Sequence, residues 1–181
     1  MTTGLDTFDR TVQESNLWLK DVMERLNTHD RHHAYSTLRA VLHALRDRIG
    51  PENAAHLGAQ LPMLLRGLFY EGWDPTGKPT KERHENAFLA HIARELPRAA
   101  DPDEIEAGAC AVLDVLSKHI DRGAAAKLAA IFPMDLRRFW PAFIQTAARE
   151  RASLGNQVGN RRAGQRLTGS ASALSRLCAQ G

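Results

Sequence analysis

An internal duplication constrains the fold of this 181-residue chain more than any other feature of the sequence. Residues 40–69 align without a gap on residues 111–140, and 13 of the 30 aligned positions are identical, where chance gives roughly two. Because no gap is needed, matched helices and loops must have equal lengths in the two copies. Matched residues in this alignment are 71 positions apart, which we call the offset. Further upstream, at residues 18–26, the matching residues are 70 positions apart. Matched pairs include Trp18/Phe88, Val22/Ile92, Leu42/Leu113, Ala54/Ala125, Pro62/Pro133, Arg66/Arg137 and Phe69/Trp140.

Apolar residues recur at steps of three and four in both copies, which is the period of an amphipathic helix. No window alternates apolar and polar residues as a strand would. The prediction is therefore an all-α fold in which two tandem four-helix repeats pack as one helical domain. The predicted helices of the first copy are 5–27 and 31–49, followed by short helices that begin at Pro51 and Pro62. Those of the second copy are 82–97, 101–121, 123–131 and 133–148.

The same periods predict which side chains face the core. The apolar stripe of the first helix consists of Leu5, Phe8, Val12, Leu19, Val22 and Leu26. In the fourth helix the inward set is Met63, Leu65, Leu68 and Phe69. The offset pairs His43, His56 and His119 with other kinds of polar residue, which predicts that these three histidines face solvent.

Charge divides the chain into a body and a tail. Residues 1–148 hold 18 basic and 20 acidic residues and are predicted to be one domain, with repeats at about 5–75 and 82–148. Residues 149–181 hold six arginines and one glutamate, and their Gly-rich and Ser-rich composition predicts a disordered basic tail. The alternative is a nucleic-acid contact through Arg161, Arg162 and Arg166, although no aromatic residue of the tail could stack on a base.

Cysteine content and hydropathy predict the compartment. Cys110 and Cys178 are too few and too far apart for a disulfide scaffold, and they fit a reducing environment. The first thirty residues contain no uncharged apolar run, and no stretch approaches the roughly 18 apolar residues of a membrane span. We therefore expect a cytoplasmic protein with neither signal peptide nor membrane contact. Cys110 lies in an apolar helical segment, which predicts a buried thiol with a raised pKa.

The fourth predicted helix and the residues that follow it carry a distinctive motif. Residues 60–73 read QLPMLLRGLFYEGW, and residues 112–117 and 133–140 of the second copy echo the pattern of the first. Over about residues 5–145 the chain resembles the bacterial family catalogued as domain of unknown function 2267. The resemblance implies a small helical domain of cytoplasmic bacterial proteins. It implies no reaction, ligand or catalytic residue.

Two segments look like ligand sites. Residues 72–79 have the glycine and lysine spacing of a phosphate-binding loop, but Pro79 replaces the magnesium-binding hydroxyl residue and no strand precedes the loop, so we interpret the segment as a linker turn. His29, Asp30, His32 and His33 form a dense group of metal-ligand types. Only His29 and His33 have the spacing that shares a helix face, so a polar helix start is the preferred interpretation, with no metal and no cofactor.

The remaining candidate binding residues are Arg66, Arg137, Trp73, Asp74 and Lys78. Each arginine lies four residues after a helix-initiating proline, so each is expected to bond a carboxylate or a helix-terminal carbonyl, or else to bind an anion in a shared cleft. The linker residues either seal the core or form a site. The leading hypothesis is a non-enzymatic protein-interaction or regulatory module with an unidentified protein partner. The alternatives are a small-molecule or anion site at the seam between the repeats, and nucleic-acid binding by the tail.

Overall fold

The computed structural model describes residues 4–80, 84–151 and 153, and these residues contain helices but no strand. The predicted all-α class is confirmed. The helices are α1 (Asp6–Arg25), α2 (Arg31–Gly58), α3 (Met63–Tyr70), α4 (Glu85–Glu95), α5 (Pro102–His119), α6 (Arg122–Ile131), a 3-10 helix (Met134–Phe139) and α7 (residues 142–151). Among the described helices none combines the length and the hydropathy that crossing a bilayer requires.

Helix α2 breaks where the sequence predicts that one helix ends and another begins. Gly50 has φ 77° and ψ 164°, a conformation that glycine adopts without strain and other residues rarely adopt. Pro51 follows it, and its fixed φ and missing N–H suit the first turn of the second helical half. The chain therefore changes direction inside α2 without a loop.

The core lies around α2 and α5. Helix α2 packs against α1, α3, α4, α5 and α6, and α5 packs against α1, α4, α6 and the 3-10 helix. For many pairs of residues that the offset matches, both members are buried, each in its own half of the domain. They include Leu42/Leu113, Leu45/Leu116, Ala54/Ala125, Leu61/Phe132 and Phe69/Trp140.

The predicted helix 133–148 is wrong, because the chain forms two separate helices there. A 3-10 helix ends at Phe139, and Trp140 adopts an extended conformation with φ −83° and ψ 148°. A residue that precedes proline is pushed away from the helical region, and Pro141 lacks the N–H that would continue the ladder. The Pro141 carbonyl instead accepts the N–H groups of Ile144 and Gln145 and begins α7, which extends past the predicted boundary at 148.

Part of the predicted apolar stripe of α1 is not in the core. The buried residues of α1 are Thr11, Trp18 and Val22. Val12 lies about 100° around the helix from Thr11 and is exposed to solvent, and Leu5 and Phe8 are exposed as well. Met63 of α3, also predicted to face inward, is 52% exposed.

Candidate functional site

Trp73 lies in the linker after α3 and packs on the domain. Its ring centroid is 5.5 Å from that of Tyr70, and the Arg46 guanidinium carbon is 5.8 Å from the indole centroid. The indole is half-buried against the core, while its Nε1 meets no hydrogen-bond partner among the described residues. These contacts are those expected of a residue that seals the core.

Asp74 and Lys78 of the same linker make different contacts. The exposed Asp74 carboxylate accepts the Thr76 N–H at 2.8 Å, and this hydrogen bond lowers the pKa of Asp74. Lys78 turns inward, and its Nζ donates to Oδ2 of Asp47 at 2.6 Å. The Thr80 N–H also donates to the Asp47 carbonyl at 2.8 Å. The linker is therefore fastened along α2.

Asp47 is the buried anion to which these groups bind. Besides Lys78, its carboxylate accepts Nε of Arg46 at 3.0 Å, and Nε2 of His91 lies 3.7 Å away. Burial raises the pKa of Asp47, but the hydrogen bonds from Lys78 and Arg46 outweigh burial, and the pKa lies below its ordinary value. Arg46 also donates to the Phe69 carbonyl at 2.7 Å, so the cluster fixes the end of α3.

His43 contradicts the prediction that it faces solvent. It is 2% exposed, its Nδ1 lies 3.1 Å from Oε2 of Glu95, and its Nε2 lies 2.8 Å from the Leu68 carbonyl. His56 and His119 are exposed as predicted. The offset pairs His43 with the half-buried Asp114, so an exchange of polar types does not by itself indicate exposure.

Arg66 and Arg137 bond carbonyl groups at matched places in the two halves. Arg66 donates to the carbonyls of Gly58 at 2.7 Å and Leu61 at 3.1 Å. Arg137 donates to the carbonyls of Phe132 at 2.8 Å and Ala130 at 2.9 Å. The offset pairs Leu61 with Phe132. Of the alternatives predicted for the two arginines, the structure shows hydrogen bonds to carbonyls near helix ends.

The histidine group before α2 is organised as a helix cap. Oδ1 of Asp30 accepts the backbone N–H groups of His32 at 2.9 Å and His33 at 3.1 Å. These hydrogen bonds lower the pKa of Asp30. Within the described residues no three His, Cys, Asp or Glu side chains are placed to hold a metal ion.

Cys110 of α5 is half-buried, and it has the raised pKa that was predicted. Burial is the main cause, and the negative charge of Glu106 adds to it. Arg161, Arg162 and Arg166, the predicted nucleic-acid contacts, lie outside the described residues.

A groove that the sequence reasoning missed runs between α1, α2 and α3. It encloses about 480 Å³. Its lining includes Val12, Ser15 and Leu19 of α1, Tyr35 of α2, and Leu64, Gly67 and Leu68 of α3. Val12, Tyr35 and Leu64 are 41%, 44% and 51% exposed. An amphipathic pattern cannot tell a stripe that meets the core from one that lines a groove.

The other half carries a charged cluster between α4, α5 and the 3-10 helix, which we call the clamp: Arg138, Glu85 and Glu106. Nε of Arg138 donates to Oε2 of Glu85 at 2.7 Å, and its Nη1 donates to Oε1 of Glu106 at 2.7 Å. The hydrogen bonds that Arg138 donates to both carboxylates raise its pKa, and they lower the pKa of Glu85. The clamp thus joins three helices at the surface.

Comparison with known families identifies the family of this chain. The family model described as "Uncharacterized conserved protein (DUF2267)" matches residues 15–139, and the chain belongs to this family. The resemblance seen in the sequence is confirmed. No curated protein matches the chain.

Proposed function

We propose that the protein is a non-enzymatic protein-interaction or regulatory module of the bacterial cytoplasm, and that the groove is its interaction surface. The observation that carries the proposal is the concentration of exposed apolar side chains along the groove and on the first turns of α1. Contiguous exposed apolar surface on a globular domain usually marks a contact with another molecule.

The polar clusters of the domain support a non-catalytic role, because their groups are used to hold helices together. Asp47 binds Lys78 and Arg46, and Arg66 and Arg137 bond helix-terminal carbonyls. A general acid, base or nucleophile needs a group poised toward substrate. The groove instead offers mainly apolar area, and its polar lining residues are Ser15, Asn16, Tyr35 and Glu71.

The same contacts weaken the case for an anion site at the seam. That alternative needs Arg66, Arg137 and Lys78 to face a common ligand, yet each donates to a protein acceptor. Nucleic-acid binding by the tail remains a separate proposal, tested by salt-dependent gel shifts with and without residues 149–181.

The proposal includes the descent of both halves, about 5–75 and 82–148, from one duplicated four-helix unit. The shared burial of matched core residues supports it, as does the matched bonding of Arg66 and Arg137. The 3-10 helix of the second half, where the first half has α3, is a local divergence.

Affinity purification from the native host tests the interaction, with quantitative mass spectrometry of the proteins retained. The test variant is Leu64→Asp in the groove, and the matched control is Leu17→Asp, a leucine of similar exposure (56% against 51%) that does not line the groove. We expect partners that the wild type and Leu17→Asp retain and Leu64→Asp loses. Identical sets of proteins on all three would contradict the assignment of the groove.

A further inference from the structure

The two halves differ in the residues that line the groove. The offset of 70 pairs α1 with α4, and the offset of 71 pairs α2 with α5 and α3 with the 3-10 helix. Three groove residues are thereby matched with the three residues of the clamp. The pairs are Ser15/Glu85, Tyr35/Glu106 and Gly67/Arg138.

This exchange explains why the first half is open. In the second half the long side chain of Arg138 spans from the 3-10 helix to carboxylates on α4 and α5. In the first half Gly67 has no side chain, and a Cβ built on it would meet no atom within 4 Å. Beside it, the exposed Leu64 stands where the second half has the exposed Asp135.

The lost charges indicate the chemistry of what fills the space. The clamp contributes one cation and two anions, whereas a glycine, a serine and a tyrosine stand at the matched positions of the groove. The charged residue of the groove lining is Glu71, and its Oε2 already accepts Nε of Arg39 at 2.7 Å. An occupant that buried a charge against this surface away from Glu71 would leave that charge unpaired, at a cost of several kcal/mol. The contacting face of the occupant must therefore be mainly apolar.

We propose that the groove receives an amphipathic α-helix of a partner protein, whose apolar side chains occupy the space above Gly67 that Arg138 fills in the other half. This inference rests on the proposed function. The α1 wall presents Val12, Ser15 and Leu19 at steps of three and four, the ridge pattern with which a second helix interdigitates.

The length of the apolar surface agrees with a helical occupant. On α1 the groove is lined by Val12, Ser15 and Leu19, and the exposed Phe8 continues the stripe one turn earlier. From Phe8 to Leu19 this stripe extends for roughly 16 Å, which matches about three turns of helix at 1.5 Å per residue. A peptide that binds by β-strand addition would need an open sheet edge for its backbone hydrogen bonds, and the described part of the chain has no strand.

The test grafts the clamp onto the first half as Ser15→Glu, Tyr35→Glu and Gly67→Arg together. The probe is a display library of 20-residue helical peptides on an alanine, glutamate and lysine scaffold, randomised along one face at helical spacing. We expect selection on the wild type to enrich apolar residues at i, i+3 or i+4, and i+7. By fluorescence anisotropy the selected peptides should bind the graft at least tenfold more weakly and Leu17→Asp unchanged.

Gly67→Trp provides a second route should the graft fail to fold, because Gly67 is exposed and a Cβ at this position meets none of the neighbouring atoms within 4 Å. It should also weaken peptide binding at least tenfold. Selected peptides that bind the graft and Gly67→Trp as tightly as the wild type would overturn the inference, as would selection without apolar periodicity. Self-association of the wild type that the graft abolishes, measured by sedimentation velocity, would assign the groove to a second copy of this chain instead.

The purification described above separates the two proposals. Partners that depend on Leu64, together with a library that yields no helical binder, would leave the groove as an interaction surface and refute the helical occupant. If the groove variants retained all the partners and bound all the selected peptides, both proposals would be refuted.

Discussion

The contact between Gly58 and Tyr70 leads to a prediction about Gly58→Ala. This substitution should lower the free energy of unfolding of the wild type but raise that of a variant that lacks the tyrosine ring. A Cβ added at Gly58 would clash with the hydroxyl of Tyr70 and would lie 2.7 Å from its Cζ and 2.9 Å from its Cε2. The ring is held in place, because its hydroxyl donates to the Ala54 carbonyl at 3.0 Å and its face packs near Trp73. The offset pairs Gly58 with the buried Ala129, and there Pro141 replaces the tyrosine.

The expected change in the free energy of unfolding follows from two destabilising effects of Gly58→Ala and one stabilising effect. Overpacking costs about 1–3 kcal/mol, and displacing the hydroxyl of Tyr70 from its acceptor costs about 1 kcal/mol more. Replacing glycine by alanine in a helix returns about 0.5–1 kcal/mol. The free energy of unfolding should therefore fall by about 2 kcal/mol, which lowers the melting temperature by about 4–8 °C for a chain of this length.

In a Tyr70→Ala background the clash is absent and only the helical gain remains. Gly58→Ala should then raise the free energy of unfolding by about 0.5–1 kcal/mol, so the coupling between the two sites is about 2–3 kcal/mol. Urea denaturation of the wild type, both single variants and the double variant, followed by far-UV circular dichroism, measures all four values. Equal effects of Gly58→Ala in both backgrounds would refute the reasoning.

Three further predictions concern stability. Phe69→Ala and Trp140→Ala should each lower the free energy of unfolding by about 3–5 kcal/mol, and an unchanged urea midpoint for either would refute its place in the core. Asp47→Asn should cost about 3 kcal/mol at neutral pH. Because the folded pKa of Asp47 is lowered, its contribution is present above the ordinary value of 3.8 and is lost as the pH falls through the folded pKa, so the wild type and Asp47→Asn should converge in acid urea titrations. Removing residues 154–181, which retains every described residue of α7, should leave the thermal midpoint unchanged, and a marked fall would show that this segment stabilises the domain.

Helix positions were predictable here because local signals set them. Gly50 and Pro51 mark the break in α2, and Pro62 precedes α3, since backbone restrictions act without tertiary context. The end of the second half was mispredicted because Pro141 was read as lying inside a continuous helix. Burial of His43 depended on Glu95, 52 residues away, and no local pattern carries that information.

The groove was a different kind of omission, because a signal for it existed in the internal alignment. Identities between the copies identify the core, but the informative positions are those where an exposed residue changes character. Leu64 against Asp135, and Gly67 against Arg138, are such positions. Recognising them required knowing that both residues of each pair are exposed, which the structure supplies.

Folding stability alone does not account for the residues at the open groove. Glycine inside a helix is about 0.8–1.0 kcal/mol less favourable than alanine, whereas arginine is close to alanine. The second half shows that this scaffold accommodates an arginine at the position of Gly67 and an aspartate at that of Leu64. The first half instead keeps a destabilising glycine beside an exposed leucine, and the acidic partners of the clamp are absent with it. Four matched differences that together open an apolar space are explained if that space receives a ligand, because the binding free energy then offsets what the isolated domain loses.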